Sequence, residues 1–263
     1  MKVLYIDCGM GAAGDMLTAA LLDLLPEEER NAFIEEFNGL GIPGVSVSAD
    51  KSEKCGITGL HVSVKVNGVE EDEHMHDRNH THSHEHTHDH THSHNGLHDI
   101  EHIVCEHLDL SEKVRADVMS VYGIIAEAES KVHGEPVSDI HFHEVGTWDA
   151  VADVTAVCML MDRIAPGKVT VSPVNTGSGT VKCAHGILPV PAPATANILT
   201  GMPAFSNGIQ SELCTPTGAA LLKYFATDFG DMPVMTVSAT GYGMGKKDFE
   251  IANCVRVIMG EMN

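Results

Sequence analysis

Basic residues are scarce in this chain. Its 263 residues include 16 Lys and Arg against 37 Asp and Glu, which gives a formal net charge of −21 with histidine neutral. Seven acids and one arginine within residues 70–94 account for −6 of this charge, so the rest of the chain still carries −15. A surface this acidic argues against binding to nucleic acid or to an anionic membrane.

Long apolar runs and paired cysteines are also missing. No run of about 18 apolar residues could cross a bilayer, and the apolar start is interrupted at Asp7, too early for a signal peptide. The seven cysteines are scattered without a CxxC pair, which indicates reduced thiols. We therefore expect a cytoplasmic protein without a disulfide framework.

Hydrophobic residues make up 43% of the chain, an ordinary share for a globular protein. Apolar periodicity predicts strands at residues 2–6, 45–49, 60–66, 168–172 and 251–259. It also predicts a helix that ends near residue 25, a second helix that begins at residue 26, and helices at 97–108, 111–132, 148–161 and 216–225. These alternating elements predict a mixed α/β fold with one main domain, made of residues 1–69 and 97–263. Residues 70–96 would form a mobile, histidine-rich insertion.

From His80 to His94 the insertion carries a histidine at every second position, and His74 and His76 precede this tract. Neither face of such a segment would be apolar, so burial cannot offset the entropy of ordering it. Neutral imidazole suits nickel, copper and zinc, which predicts metal buffering, with a histidine-rich spacer as the alternative. The predicted metal ligands are His80, His82, His84, His86, His88, His90, His92 and His94.

A glycine-rich turn follows the first predicted strand. Gly9, Gly11 and Gly14 satisfy GxGxxG, but a helix begins where a dinucleotide site needs a second strand, and Asp15 would repel a pyrophosphate. The turn instead favours a single phosphate, with Asp7 and Asp15 holding a hard cation such as magnesium beside it. A tight turn with Asp15 as a first-turn acid is the alternative.

Metal-ligand and acid–base side chains are most concentrated between His141 and Asp153. If this stretch starts extended, His141 and His143 share a face and could bind one ion together, while Glu144 points the other way. Asp149 and Asp153 lie four apart on a predicted helix and repel each other unless a cation or proton lies between them. We predict that these five residues are catalytic. The alternative is hydrogen-bonded core histidines and an Asp149 that complements the helix dipole.

Three later segments also carry candidate ligands. Cys183 and His185 could bind a borderline-soft ion, although a buried thiol beside a turn histidine is the alternative. A helix that starts with Pro216 places an anion site at its N-terminus, with Thr215, Thr217 and Gly218 as the predicted contacts. Residues 241–248 read as a second glycine loop, in which Lys246 is a candidate phosphate contact.

Six motifs occur in a fixed order around the insertion, namely DCGMGAAGDM, AEAESKVHGEP, HFHEVGTWDAVADV, VKCAHGILPVPAPAT, ELCTPTGAALL and TGYGMGKKD. In these motifs the chain resembles the LarC family, from Met1 to its end. That family comprises the nickel-insertion enzyme of nickel-pincer-nucleotide cofactor biosynthesis.

The resemblance implies a CTP-dependent cyclometallase of the lyase class. Such an enzyme inserts nickel into pyridinium-3,5-bisthiocarboxylic acid mononucleotide, through two bonds to sulfur and one to carbon. The carbon bond requires removal of a ring proton, so a base is needed, with Glu144 or a histidine as the candidate. The substrate phosphate would lie at the first glycine loop, at the Thr215 helix start or at Lys246.

The resemblance also implies partners. Family members continue past Asn263 into a domain associated with CTP and its Mg or Mn ion, which exists in some members as a separate product. The matured cofactor serves lactate racemase-type apoenzymes, and a homo-oligomer is compatible with the sequence. An alternative function from another class is a nickel storage and delivery protein that catalyses nothing.

Overall fold

The computed structural model describes residues 1–70, 96–142, 145–183 and 185–262. Most of the predicted insertion, with all eight alternating histidines, lies outside these ranges, and so do His143 and Glu144. The described residues form one main domain of mixed α and β structure, which confirms the predicted fold class. None of the described helices is long and apolar enough to cross a membrane.

Seven α-helices and fourteen strands lie within the described ranges. The helices are α1 (Gly14–Asp23), α2 (Glu27–Gly39), α3 (Leu97–His102), α4 (Glu112–His133), α5 (Trp148–Ile164), α6 (Pro193–Ile198) and α7 (Pro216–Phe225). The strands are β1 (Lys2–Asp7), β2 (Val45–Lys54), β3 (Ile57–Val66), β4 (Val69–Glu70), β5 (Lys168–Val171), β6 (Val174–Asn175), β7 (Gly177–Ser178), β8 (Thr180–Cys183), β9 (Gly186–Pro189), β10 (Ala204–Phe205), β11 (Ser211–Glu212), β12 (Asp228–Phe229), β13 (Thr236–Met244) and β14 (Cys254–Glu261).

An eight-stranded sheet organises the domain. Its order is β12-β5-β1-β14-β13-β3-β2, with β4 paired to β3. β1 runs parallel to β5 and antiparallel to β14, and β14 runs antiparallel to β13. β13 joins β3 at a single position, where Gly243 pairs with Leu60. The remaining strands form three two-stranded sheets, β6 with β10, β7 with β11, and β8 with β9.

Two helices lie at the centre of the core. Most residues of α1 and α5 are buried, as expected for helices whose sequences are apolar on nearly all sides. α1 packs against β13, β3 and α5. The N-terminal halves of α1 and α5 therefore meet beside β3, and this meeting positions the candidate site.

The prediction of a second glycine loop at residues 241–248 is wrong for its first half, residues 241–244. Gly241 and Gly243 belong to β13, where a Cβ would lie 2.2 Å from the Ala20 oxygen and 1.8 Å from the Met16 oxygen. These glycines let the strand approach α1 closely, and the loop begins only at Gly245. The final predicted strand also begins later than expected, at Cys254.

The described residues just before α5 belong to no strand. Among the described residues of 140–145, only His141 makes a β-bridge, which is isolated and pairs it with Gly96. Phe142 is buried against Tyr122, with ring centroids 5.9 Å apart, and the Tyr122 hydroxyl donates to the Val145 oxygen over 3.2 Å. Packing in the core therefore anchors this segment.

Candidate active site

Four of the predicted site residues meet in one small cavity. Asp15, Asp149, Asp153 and Lys246 line a volume of about 50 Å³ together with two valines of β3, Val62 and Val64. We call this cavity the acid pocket. The sequence predicted that Asp149 and Asp153 share a helix face, and both carboxylates do point into the same space.

Close approach of two helices brings Asp15 to this pair. At Gly14 a Cβ would lie 2.5 Å from the Cβ of Asp153, so only glycine fits there without a shift. The backbone N–H of Asp15 hydrogen-bonds to Asp153, and the Asp15 carboxylate accepts from the Met16 N–H over 2.8 Å. The third glycine of GxGxxG therefore serves helix packing.

Two carboxylate oxygens in the acid pocket have no hydrogen-bond partner among the described residues. They are Oδ1 of Asp149 and Oδ1 of Asp153, and both atoms are shielded from solvent. A buried carboxylate oxygen left unpaired is costly, because it has lost its water without a replacement. Such atoms are suited to bind a proton or a cation.

Burial raises the pKa of Asp153 well above its ordinary value, and the neighbouring charges of Asp15 and Asp149 raise it further. The positive charge of Lys246 and the hydrogen bond from the Asp15 backbone act in the opposite direction. Burial also raises the pKa of Asp15. Neighbouring buried carboxylates are difficult to ionise together, so the acid pocket retains protons at a higher pH than surface aspartates do.

Lys246 connects the acid pocket to residues that sequence reasoning missed. Its Nζ lies 3.0 Å from Oε1 of Glu70, which in turn lies 3.8 Å from Nε2 of His61. Burial lowers the pKa of Lys246, but the contacts with Glu70 and the charges of Asp15 and Asp153 outweigh it, so the net shift is upward. Glu70 is placed by the turn at Asn67 and Gly68, whose Asn-Gly pair is a hairpin signal in the sequence.

The predicted phosphate loop uses its amides internally. The N–H groups of Gly9, Gly11 and Ala12 donate to Asp7 Oδ1, the Cys8 oxygen and the Leu213 oxygen, at 3.0, 2.9 and 2.9 Å. In this conformation the three amides are not offered to a phosphate. The predicted cation pair is also separated, because Asp7 binds Arg256 over 2.6 Å and lines a different cavity from Asp15.

The predicted anion site at the start of α7 is covered. Thr215 caps the helix by accepting from the Gly218 N–H over 3.1 Å, and a Cβ at Gly218 would lie 2.2 Å from the Ala12 oxygen. Thr217 is buried. The helix start therefore packs against the first glycine loop, while Thr215 and Pro216 keep partial exposure.

The other predicted ligands lie outside the acid pocket. His141 is exposed and is absent from the lining of that cavity. Cys183 and His185 lie at the turn between β8 and β9, where the His185 ring is 5.0 Å from that of His133. Within the described ranges, no group of three or more His, Cys, Asp and Glu side chains is arranged to hold a metal ion.

Comparison with known proteins gives a family match along almost the whole chain. A family model described as "Nickel insertion protein" matches residues 4–263. Three similar relatives are named "Pyridinium-3,5-bisthiocarboxylic acid mononucleotide nickel insertion protein". They come from Clostridium kluyveri (40% identical, covering 99% of this chain and 62% of the relative), Clostridium acetobutylicum (42%, 99% and 64%) and Staphylococcus saprophyticus (36%, 97% and 59%). The chain thus spans about three fifths of their length. No solved structure matches it.

Proposed function

Because this chain belongs to the nickel insertion protein family, we propose that it takes part in inserting nickel into pyridinium-3,5-bisthiocarboxylic acid mononucleotide. The family match over residues 4–263 carries this proposal, and the printed names of the relatives supply the substrate. Nickel is the second substrate of the reaction. The product would be the nickel-pincer cofactor of lactate racemase-type enzymes.

The acid pocket is the proposed reaction site within this chain. Asp149 and Asp153 keep the catalytic role assigned from their spacing, and two observations support it: they share one cavity, and each has a buried, unpaired oxygen. Asp15 and Lys246 line the same cavity and are the proposed contacts to the mononucleotide. His141, His143 and Glu144 remain proposed participants in metal transfer.

Metal supply is proposed for the alternating histidines at positions 80–94. Their imidazoles would collect nickel, and Cys183 with His185 would form a second, smaller site. CTP with its Mg or Mn ion is assigned to the part of the longer relatives beyond the match, and it is given no role in this chain's own chemistry. The whole reaction would then require that part, as a fused domain or as a separate product.

The proposal is tested by supplying the part of the relatives that lies beyond the match. The purified chain is incubated with mononucleotide, nickel, CTP and magnesium, alone and with the C-terminal part of the Clostridium kluyveri relative. Mass spectrometry of the nickel-bearing mononucleotide should detect turnover only in the combined sample, with little CTP hydrolysis by the chain alone. Rapid CTP hydrolysis by the chain alone would mean that CTP is assigned to the wrong part.

A matched pair of variants tests the location of the site. Asp149→Asn should strongly reduce insertion, because it neutralises a carboxylate of the acid pocket. Asp162→Asn is the control, since it lies on the same helix but faces Lys113 at 3.3 Å on the surface. Equal rates of nickel insertion by the two variants would show that the acid pocket takes no part in the reaction.

The second candidate function is nickel storage and delivery without catalysis, which the density of histidines at 80–94 favours. Deletion of residues 74–94 separates the two functions. A reservoir loses its activity entirely, whereas the insertion enzyme loses only capacity and still matures the cofactor when nickel is abundant.

A further inference from the structure

We infer that Asp153 accepts the proton that leaves the ring carbon of the mononucleotide when nickel bonds to that carbon. The inference rests on the proposed function and names the base, which the sequence left open between Glu144 and a histidine. The geometry of Asp153 among the described side chains carries it.

The step balances without a redox partner. The ring C–H bond breaks, and its electron pair forms the carbon–nickel bond. The proton moves to a carboxylate oxygen of Asp153, and nickel remains in the +2 state while the two thiocarboxylate sulfurs complete its contacts to the ring. One strong base and a path for one proton are therefore all that the protein must supply.

The acid pocket provides a free lone pair in a confined space. Oδ1 of Asp153 is shielded from solvent and has no hydrogen-bond partner among the described residues, so it is available to a proton. Asp15, Asp149 and Asp153 are each half-buried, so the residues that line the cavity keep some exposed surface. A volume of about 50 Å³ has room for a few atoms and not for a nucleotide, so only the reacting edge of the ring would enter.

The surroundings strengthen Asp153 as a base. An aspartate with an ordinary pKa of about 4 is a weak base at neutral pH. A general base works best when its pKa lies near the working pH. Burial, Asp15 of α1 and Asp149 of α5 all raise the pKa of Asp153, and Lys246, following β13, limits the rise. Glu70 of β4 holds Lys246 at 3.0 Å and itself faces His61 of β3.

Tyr122 of α4 is also buried beside these acids. Burial, followed by the charges of Asp149 and Asp153, raises its pKa well above the ordinary value. It therefore stays neutral and does not compete for the proton. Beside the roles proposed for them above, Asp15, Asp149 and Lys246 also set the proton affinity of Asp153.

The first experiment needs no catalysis. Carbon-13 NMR of labelled aspartate carboxyls in the purified chain should reveal a group that titrates clearly above the usual aspartate range and above Asp15, whose pKa burial also raises. Asp153→Asn should remove that signal and Asp162→Asn should retain it. Asp15→Asn and Asp149→Asn should move its midpoint to lower pH, because each removes a negative neighbour, and Lys246→Met should move it to higher pH.

The second experiment follows the rate of nickel insertion against pH in the combined sample described above. The rate should rise with pH through the midpoint seen by NMR, because the base must be deprotonated. The rising limb should move in the same directions in Asp15→Asn and Lys246→Met, whereas a purely structural role would lower the rate without moving it. Asp153→Asn should fall by at least a hundredfold and Asp162→Asn should match wild type.

Each contrary outcome has a distinct meaning. Insertion by Asp153→Asn at the wild-type rate overturns this inference and leaves the proposed function intact. The inference is also overturned if no high titration is found and magnesium or nickel binds stoichiometrically in a way that Asp153→Asn abolishes, because the pocket is then a cation site. Failure of the wild-type chain to insert nickel with any complementing part overturns the proposed function and this inference together.

Discussion

Substitution of Gly14 is the most direct test of the packing that builds the acid pocket. In Gly14→Ala the new Cβ would lie 2.5 Å from the Cβ of Asp153 and 2.7 Å from its Oδ2. Carbon atoms in contact normally stay about 3.5 to 4.0 Å apart, so α1 and α5 must separate by roughly 1 Å. The substitution therefore displaces Asp153 without removing its carboxylate.

Two effects oppose each other in the stability of Gly14→Ala. Adding a methyl group to a packed contact costs about 1 to 3 kcal/mol, whereas alanine gains up to about 1 kcal/mol over glycine in a helix. The free energy of unfolding should fall by at most about 2 kcal/mol, or roughly 4 to 8 °C in Tm. Nickel insertion should fall much further, by about a hundredfold, because reacting groups tolerate little displacement.

Gly123→Ala is the matched control. Gly123 lies inside α4, and no neighbouring atom lies within 4 Å of the position that a Cβ would take, so alanine should add roughly 0.5 to 1 kcal/mol to the free energy of unfolding. Thermal melts followed by circular dichroism and the insertion assay measure both variants. If Gly14→Ala gains stability as Gly123→Ala does, or inserts nickel at the wild-type rate, the close approach of α1 to α5 is not what forms the site.

Three further predictions concern protons and metal. Asp153→Asn should be more stable than wild type near pH 7. The raised pKa of folded Asp153 contributes stability that is fully present only below the unfolded pKa of about 4 and is lost as pH rises through the folded pKa. Thermal melts of the two proteins should therefore converge toward pH 4, and parallel curves of Tm against pH would refute this prediction. Deletion of residues 74–94 should remove most of the nickel bound in equilibrium dialysis, and an unchanged number of nickel ions per chain would contradict this. The nickel affinity of the intact chain should also weaken below about pH 6.5, because imidazoles protonate there. The double variant His141→Ala, His143→Ala should keep a wild-type Tm, since His141 is exposed, and should abolish cofactor maturation. A clearly lower Tm would show that these histidines stabilise the fold.

Local signals in the sequence predicted the ends of α4 and the start of α7, whereas α6 was not predicted and the helix predicted at 97–108 is α-helical only to His102. α4 has a serine cap, Ser111, which accepts from the Val114 N–H over 3.2 Å, and it ends at Gly134 with a φ of 69°. α7 begins with Pro216 after Thr215, as its sequence indicates. These ends were predictable because capping depends on residues within one turn of the helix.

Contacts between distant segments were not predictable in the same way. The spacing of Asp149 and Asp153 predicted a shared face, but nothing near Asp15 indicates that its carboxylate joins them. Gly241 and Gly243 resemble a phosphate loop in sequence because a glycine needed for close packing cannot be distinguished locally from one needed for a turn. The packing of β13 against α1 shows that these two glycines serve close packing and not a turn.

The place of β14 in the sheet has a consequence for how the protein is made. β14 is the latest of the strands in sequence, yet it lies between β1 and β13, where Leu4 pairs with Met259 and Gly241 pairs with Val257. A nascent chain must therefore keep one edge of β1 unpaired until residues 254–261 have been synthesised. Contacts so far apart in sequence slow folding and leave that edge open to wrong pairing. Since Lys246 lies in the connection between β13 and β14, the acid pocket would be completed in the same late step that closes the sheet.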